Sequence, residues 1–188
     1  MAVVKAKSLI ILWRKYKSVI LFLLTFLGTY FLLSAAYAAY LNYGASQEYY
    51  PDVISHYVAR QTAWFIDVFG YEGTTRPNQN HPSMLLLVNG VPASRVIEGC
   101  NAIAVMIMFL SFVVAFFNGW KRTIWFVLFG LVTIHILNII RIALFSIGVY
   151  KIPQHKDFFH DVAFPLVIYG YVFLLWIYWV KDFKPKKP

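Results

Sequence analysis

The sequence is poor in charged residues. Only 13% of its 188 residues are Asp, Glu, Lys or Arg, whereas 60% are hydrophobic and 19% are aromatic. Soluble domains carry about 25% charged residues, so this chain has too few to cover a surface that faces water. The shortage of charge argues against an ordinary soluble enzyme and indicates a chain that lies in the lipid bilayer.

Acidic residues and cysteine are also scarce. The chain has 8 acidic residues against 17 Lys and Arg, which gives a formal net charge of +9. The basic residues flank apolar runs and form no basic face, so we expect no nucleic-acid partner. The one cysteine, Cys100, excludes an intramolecular disulfide, so its thiol serves either packing or chemistry.

Long apolar runs are what the chain does contain. A helix needs about 20 apolar residues to cross the hydrocarbon core of a bilayer. Four stretches meet that requirement, so we expect an all-α fold, a polytopic bundle of four transmembrane helices in a single membrane domain of residues 1–188; the expected spans are 18–40, 98–117, 123–147 and 159–180. The first run also resembles a signal peptide, but its length favours a retained anchor.

Basic residues set the orientation of these spans. Five precede the first span, two lie in the turn after the second and four follow the fourth, so eleven of the 17 share one side. The other side carries five, spread over much longer loops. Because cytoplasmic loops carry the excess of Lys and Arg, we expect both tails, 1–17 and 181–188, in the cytoplasm.

The long outer loop, residues 41–96, has its own patterns. Apolar residues recur there at helical spacing and predict a short amphipathic helix on the membrane surface: Val58, Thr62, Phe65 and Phe69. Residues 73–82 read as a turn-rich linker. After it, Asn89-Gly90 separates two apolar runs, 84–88 and 91–97, and predicts a β-hairpin.

Ionisable residues inside spans are costly, so each one indicates a specific role. At a helix rise of about 1.5 Å per residue, Cys100 and Arg141 both lie about 27 Å from the cytoplasmic ends of their helices, and His160 lies about 31 Å from its own. Three helices of alternating direction thus bring these residues to one depth near the outer face. His135 lies deeper, at about 18 Å, and is expected to be structural.

Together these residues form the set that a cysteine acyl-transfer enzyme requires. The thiolate is the nucleophile, and Cys100 begins its predicted helix, where free N–H groups favour an anion and offer an oxyanion hole. Arg141 adds a fixed positive charge. His160 takes the thiol proton and returns it to the leaving amine. Asn138, three residues before Arg141 on its helix, is expected to orient the guanidinium.

Other readings of the same residues remain open. Cys100 as packing, Arg141 as a snorkelling cation or partner of Glu98, and His160 as an interfacial anchor describe a non-catalytic scaffold subunit of an envelope-assembly or export complex. A metal or haem site built from Cys100, His135 and His160 matches no known ligand spacing, so we expect no metal and no cofactor.

Three short segments resemble the active-site blocks of the exosortase/archaeosortase family. They read Glu-Gly-Cys-Asn-Ala at 98–102, Asn-Ile-Ile-Arg at 138–141 and Phe-His-Asp at 159–161. The resemblance covers about residues 95–180 and adds Glu98 and Asn101 as supporting site residues. The short length and single long outer loop resemble the compact exosortases of subclass F. The chain departs from the family pattern at Ala102, where glycine is common.

The resemblance implies a membrane-embedded cysteine protease and transpeptidase in the bacterial inner membrane, with its site at the outer face. Its partners would be membrane lipid and exported proteins that end in a short motif, a transmembrane helix and a basic tail. By this resemblance Cys100 forms a thioester with the substrate, Arg141 stabilises negative charge and His160 acts as acid and base. The acceptor, whether lipid, glycan or water, is left open.

Overall fold

A computed structural model describes residues 2–43 and 50–181, with side chains from residue 15 onward except at 43, 155, 157, 160, 161 and 164. The described elements follow in this order: α1 (Ala2–Tyr43), α2 (Val53–Val68), β1 (Gly73–Pro77), β2 (Met84–Val88), β3 (Val91–Val96), α3 (Ile103–Ala115), α4 (Trp120–Lys151), α5 (Lys156–Phe158) and α6 (Phe164–Lys181). A 3-10 turn, Glu98–Cys100, joins β3 to α3, and a π-helical turn, Phe159–Ala163, leads into α6.

Two of the described helices are long and apolar enough to cross a membrane, namely Lys15–Asn42 within α1 and the whole of α4. They contain the predicted spans 18–40 and 123–147. α3 and the Pro165–Lys181 part of α6 are shorter apolar helices. The structure therefore supports two spans by length and composition, and the other two remain predictions.

The helix predicted for residues 98–117 begins later than expected. Glu98–Cys100 forms a 3-10 turn, Ala102 has a left-handed backbone with φ 66°, and α3 starts only at Ile103. A left-handed residue cannot continue a right-handed helix, so the chain changes direction here. A continuous helix over 98–117 is therefore wrong, and the 13 residues of α3 extend for about 20 Å.

The outer loop contains a three-stranded antiparallel sheet in the order β1-β2-β3. The predicted hairpin is present, with Asn89 and Gly90 at φ 51° and 75° in the turn between β2 and β3, as this turn chemistry requires. The predicted linker 73–82 instead begins with β1, so the all-α expectation is wrong here. No residue of β1 is fully buried, and such a strand leaves no alternating apolar pattern in the sequence.

The predicted amphipathic helix exists as α2, but it packs within the protein. Asp52 caps it, because Oδ1 accepts hydrogen bonds from the backbone N–H groups of Ile54 and Ser55 at 2.9 and 3.0 Å. Val58 and Thr62, which were expected to face the membrane, are buried in contact with neighbouring elements. Apolar residues of α2, the sheet and α4 form a first core, which includes Val58, Ile66, Leu86, Val96 and Ala143.

A second core joins α3, α4 and α6. It contains Phe109, Phe126 and Trp179, and Trp179 Nε1 donates a hydrogen bond to the Phe116 carbonyl at 3.0 Å. Cys100 packs against the edge of the first core, whereas Ala102 belongs to the second. The segment that carries the cysteine is therefore the link between the outer-loop core and the helical core.

Candidate active site

Cys100 closes the 3-10 turn between β3 and α3. It is half-buried and carries a free thiol. Its backbone N–H donates to the Ile97 carbonyl at 2.8 Å, so this N–H is already used. The expectation that Cys100 begins a helix is therefore wrong, and its own N–H is not free to bind an oxyanion.

Asn101 anchors the residue next to the thiol. Its side chain is 1% exposed, and Nδ2 donates to the hydroxyl of Tyr37 at 2.7 Å and to that of Ser55 at 3.1 Å. Its Oδ1 accepts from the Ile103 N–H at 3.0 Å. α1, the start of α2 and the start of α3 thus all hold one amide. This network could not be predicted from the sequence, because Tyr37 and Ser55 lie 64 and 46 residues away.

Asn138 of α4 holds the backbone of Cys100 directly. Its Nδ2 donates to the Cys100 carbonyl at 2.9 Å, and its side chain is 1% exposed. The expectation that Asn138 orients the Arg141 guanidinium is therefore wrong. One turn of α4 instead approaches Cys100 twice, with Asn138 bonded to its carbonyl and Arg141 lining the same cavity.

The Arg141 guanidinium lies against the Cys100 side chain. Cys100 and Tyr169 of α6 are described electrostatic neighbours of this guanidinium, and Arg141 and Cys100 line the same cavity. Nε of Arg141 is buried without a hydrogen-bond partner among the described residues. A buried donor left unpaired costs about 1–3 kcal/mol. The arrangement therefore places a fixed positive charge with an unused donor beside the only thiol.

The remaining predicted residues have different positions. Glu98 is exposed at the start of the 3-10 turn, and the described neighbours of Arg141 do not include it. The backbone of His160 lies in the π-helical turn before α6, and its side chain is outside the described part. Its convergence on Cys100 stays a prediction. Nε2 of His135 bonds the Gln61 side chain at 2.8 Å, which fits the structural role expected for it.

Two adjoining cavities meet at Cys100. The larger, of about 570 Å³, runs along β3 to Lys156, and the smaller, of about 310 Å³, reaches Arg141 and Pro165. They share Arg95, Ile97, Cys100 and Phe145 as lining residues. Both volumes fall in the range of about 300–1,000 Å³ that is usual for ligand sites. The basic lining residues Arg95 and Lys156 were missed because isolated loop cations form no sequence pattern.

Long apolar helices joined to a small sheet that presents a thiol to an arginine define a membrane protein with a cysteine–arginine site. The family model for transmembrane exosortases matches residues 3–178, and the chain belongs to that family. The match extends well beyond the 95–180 stretch that carries the motif resemblance. No curated protein and no solved structure gave a match.

Proposed function

We propose that this protein is a membrane-embedded cysteine transpeptidase that cuts the C-terminal sorting signal of exported proteins. The observation that carries the proposal is that Cys100 and Arg141 line the same cavity, next to a second cavity that also reaches Cys100. Membership of the transmembrane exosortase family supports the same activity. The compact chain and single outer loop favour subclass F.

In the first half of the reaction, Sγ of Cys100 attacks the scissile carbonyl carbon while His160 accepts the thiol proton. The carbonyl π electrons move to oxygen, and the guanidinium of Arg141 stabilises the resulting oxyanion. The C–N bond then breaks. The nitrogen leaves with the proton from His160, and the substrate remains on Cys100 as a thioester.

In the second half, an acceptor attacks the thioester carbonyl. A nucleophilic amine or hydroxyl of a membrane lipid or glycan gives transfer, whereas water gives release. His160 takes the proton of the acceptor and returns a proton to the departing thiolate. The enzyme is proposed to sit in the bacterial inner membrane with both termini in the cytoplasm and the site at the outer face, where a motif next to a substrate transmembrane helix would emerge.

The backbone around Cys100 is already held in place. Asn138 donates a hydrogen bond to the Cys100 carbonyl. Asn101, the residue after Cys100, is held by three hydrogen bonds of its own side chain. Groups held in their reacting positions before the substrate arrives lose little freedom in the transition state. A protein with only a scaffold role would not need the backbone beside a half-buried thiol to be held in this way.

The test follows a co-expressed exported reporter whose C-terminal motif, helix and basic tail come from the same genome. Cells carry the native gene or Cys100→Ala, Arg141→Ala or His160→Ala at matched membrane levels, and the mass of the reporter is measured. Gly148→Ala is the matched control in α4, because a Cβ at that position would meet no atom within 4 Å. The native protein and the control are expected to remove the tail, and the three site variants are expected to leave it attached.

Normal processing by Cys100→Ala would overturn the nucleophile assignment and favour the scaffold function. Loss of activity only in Arg141→Ala, with processing intact in the other two, would make Arg141 a structural cation rather than a catalytic one. Arg141→Lys tests whether a positive charge alone is sufficient, because an ammonium cannot reproduce the planar donor fork of a guanidinium.

A further inference from the structure

The larger cavity follows the free edge of β3. In the sheet that the described residues form, in the order β1-β2-β3, strand β3 pairs with β2 alone. Four consecutive β3 residues, Pro92 to Arg95, line the cavity, with Phe145 of α4 and Lys156 among its other lining residues. At about 3.3 Å per residue these four extend for about 10 Å. Leu85 of β2, which pairs with Arg95, also lines the cavity, so the cavity, here called the groove, lies along β3 and reaches the neighbouring strand.

The hydrogen-bond pattern of the sheet shows which backbone groups of β3 point away from β2 towards this groove. The Asn89 N–H donates to Glu72, on the β1 side, so Leu87 and Leu85 also turn their backbone groups towards β1. Their partners across β2 and β3 are Pro92 and Arg95. These two residues then turn their backbone groups away from β2, a position that suits Pro92 because it has no N–H.

The N–H and C=O of Arg95 and the C=O of Pro92 thus face the groove. A β-bulge, with Ala93 skipped between Leu87↔Pro92 and Leu86↔Ser94, separates the two positions. Ser94 is fixed from behind, since its hydroxyl bonds that of Ser146 in α4 at 2.6 Å. The bond to Ser146 holds Ser94 in place, and among the described residues no hydrogen bond to these outward backbone groups of Pro92 and Arg95 is present.

We propose that this edge is the docking site for the polar segment of the substrate, which binds as an added extended strand next to β3. The inference rests on the proposed function. Strand addition supplies affinity through main-chain hydrogen bonds and needs only an exposed edge with room beside it. The groove provides that room and ends at Cys100, four residues beyond the end of β3. A peptide aligned on β3 would be guided along the groove to the thiol.

The occupant is an extended peptide rather than a second copy of the chain. The groove is continuous with Cys100, where the proposed reaction places the scissile bond, and this continuity makes the substrate peptide the occupant. The bulge, Pro92 and Arg95 are devices that keep exposed edges from pairing with other sheets. They leave only Pro92 and Arg95 to offer backbone groups at this edge. Two such positions suit a short peptide but are too few for long pairing with another sheet.

The test removes one backbone donor on each edge of the sheet. Arg95→Pro deletes the N–H that faces the groove, and Arg95→Ala separates that loss from the loss of the side chain. Thr75→Pro is the matched control on β1, where Thr75 lies opposite Leu86 and turns its N–H away from the sheet. Initial rates of tail removal from the reporter are measured at matched membrane levels, and the thermal midpoint of each purified variant reports folding.

Arg95→Pro is expected to process the reporter about fivefold to tenfold more slowly than Arg95→Ala, the factor expected for one backbone hydrogen bond. Thr75→Pro is expected to stay near the native rate. Equal rates for the two proline variants, with the native protein active, would overturn the docking proposal and leave the proposed function standing.

A second measurement decides the matter if Arg95→Pro does not fold. Synthetic peptides of the reporter's polar segment, each with one N-methylated amide, are titrated against purified Cys100→Ala protein. Strand addition predicts that alternate positions lose affinity, since only every second N–H faces β3. Affinity losses without alternation would overturn the inference. Alternating losses with a native protein that leaves the reporter uncut would retain the docking site and overturn the proposed function.

Discussion

The side-chain amide of Asn138 donates a hydrogen bond to the backbone carbonyl of Cys100 at 2.9 Å. Three residues further along α4, Arg141 lines the same cavity as that cysteine. Residues three apart on a helix share a face, so one turn of α4 controls both the backbone and the side chain of the proposed nucleophile. The geometry of the site depends on how α4 packs beside the turn at Cys100.

Replacing Asn138 with Leu removes the donor and leaves the buried Cys100 carbonyl unpaired. We expect a loss of unfolding free energy of about 1–3 kcal/mol. If Asn138 is a positioning residue, kcat falls while KM stays close to the native value, because the substrate still binds but the thiol is misplaced. Steady-state processing of a reporter peptide by purified protein measures both constants. A rise in KM with unchanged kcat would contradict the positioning role.

Ala102 adopts φ 66°, the left-handed region that favours glycine. This explains why the family pattern commonly has glycine there. Ala102→Gly is expected to raise unfolding free energy by up to about 1 kcal/mol, because a left-handed conformation costs an L-residue about 1–2 kcal/mol and glycine almost nothing. Thermal midpoints in detergent measure the change, and processing should be retained.

Gly119 provides the reverse substitution as a control. It has φ 83° and open space around an added Cβ, so Gly119→Ala carries only the conformational cost and should lower the thermal midpoint. Because φ 83° with ψ 145° lies close to a region that glycine alone adopts readily, Gly119→Ala should lower the midpoint by more than Ala102→Gly raises it. Shifts of opposite sign would confirm backbone strain at both positions. A destabilised Ala102→Gly would contradict the left-handed assignment.

Helix packing between α3 and α4 depends on Gly130. A Cβ at this position would overlap the ring of Phe109, which is fully buried in the second core. Gly130→Ala is therefore expected to lower membrane accumulation, although overpacking of this kind typically costs only about 1–3 kcal/mol. Gly130→Ala combined with Phe109→Leu should recover part of the loss, which quantitative immunoblots of membranes would show.

Gly148→Ala in the same helix is the control for helix propensity, because its Cβ meets nothing within 4 Å. Alanine is favoured over glycine inside a helix by about 1 kcal/mol, so this variant should accumulate normally. Loss of accumulation in both variants would point to a general intolerance of α4 rather than to the contact with Phe109.

The parts of the fold written in local sequence could be predicted. The apolar runs of α1 and α4 and the Asn89-Gly90 turn are signals confined to neighbouring residues, and each corresponds to the element expected. The strand β1 could not be found in this way, because it has no buried face. The late start of α3, directly after Ala102, could not be predicted either. Alanine is the strongest helix former, and only the tertiary context imposes its left-handed backbone.

The site was predicted in part for a related reason. Depth along a helix follows from residue counting, and Cys100 and Arg141 do line one cavity, although Cys100 precedes α3 rather than lying on it. Facing does not follow from counting, so the partners of Asn138 and Asn101 were assigned wrongly or not at all. Their hydrogen bonds join residues 38 to 64 positions apart, and no periodicity in a single sequence encodes such pairs.

The most direct test of the account is the covalent intermediate on Cys100. Purified protein is mixed with a reporter peptide, quenched in acid and digested, and the peptide that contains Cys100 is weighed by mass spectrometry. The expected result is a mass increase equal to the N-terminal fragment of the substrate. Neutral hydroxylamine should remove this fragment, because it cleaves thioesters. Cys100→Ser should carry no adduct that neutral hydroxylamine removes. Substrate cleavage without any adduct on Cys100, under conditions that slow the second step, would contradict the account.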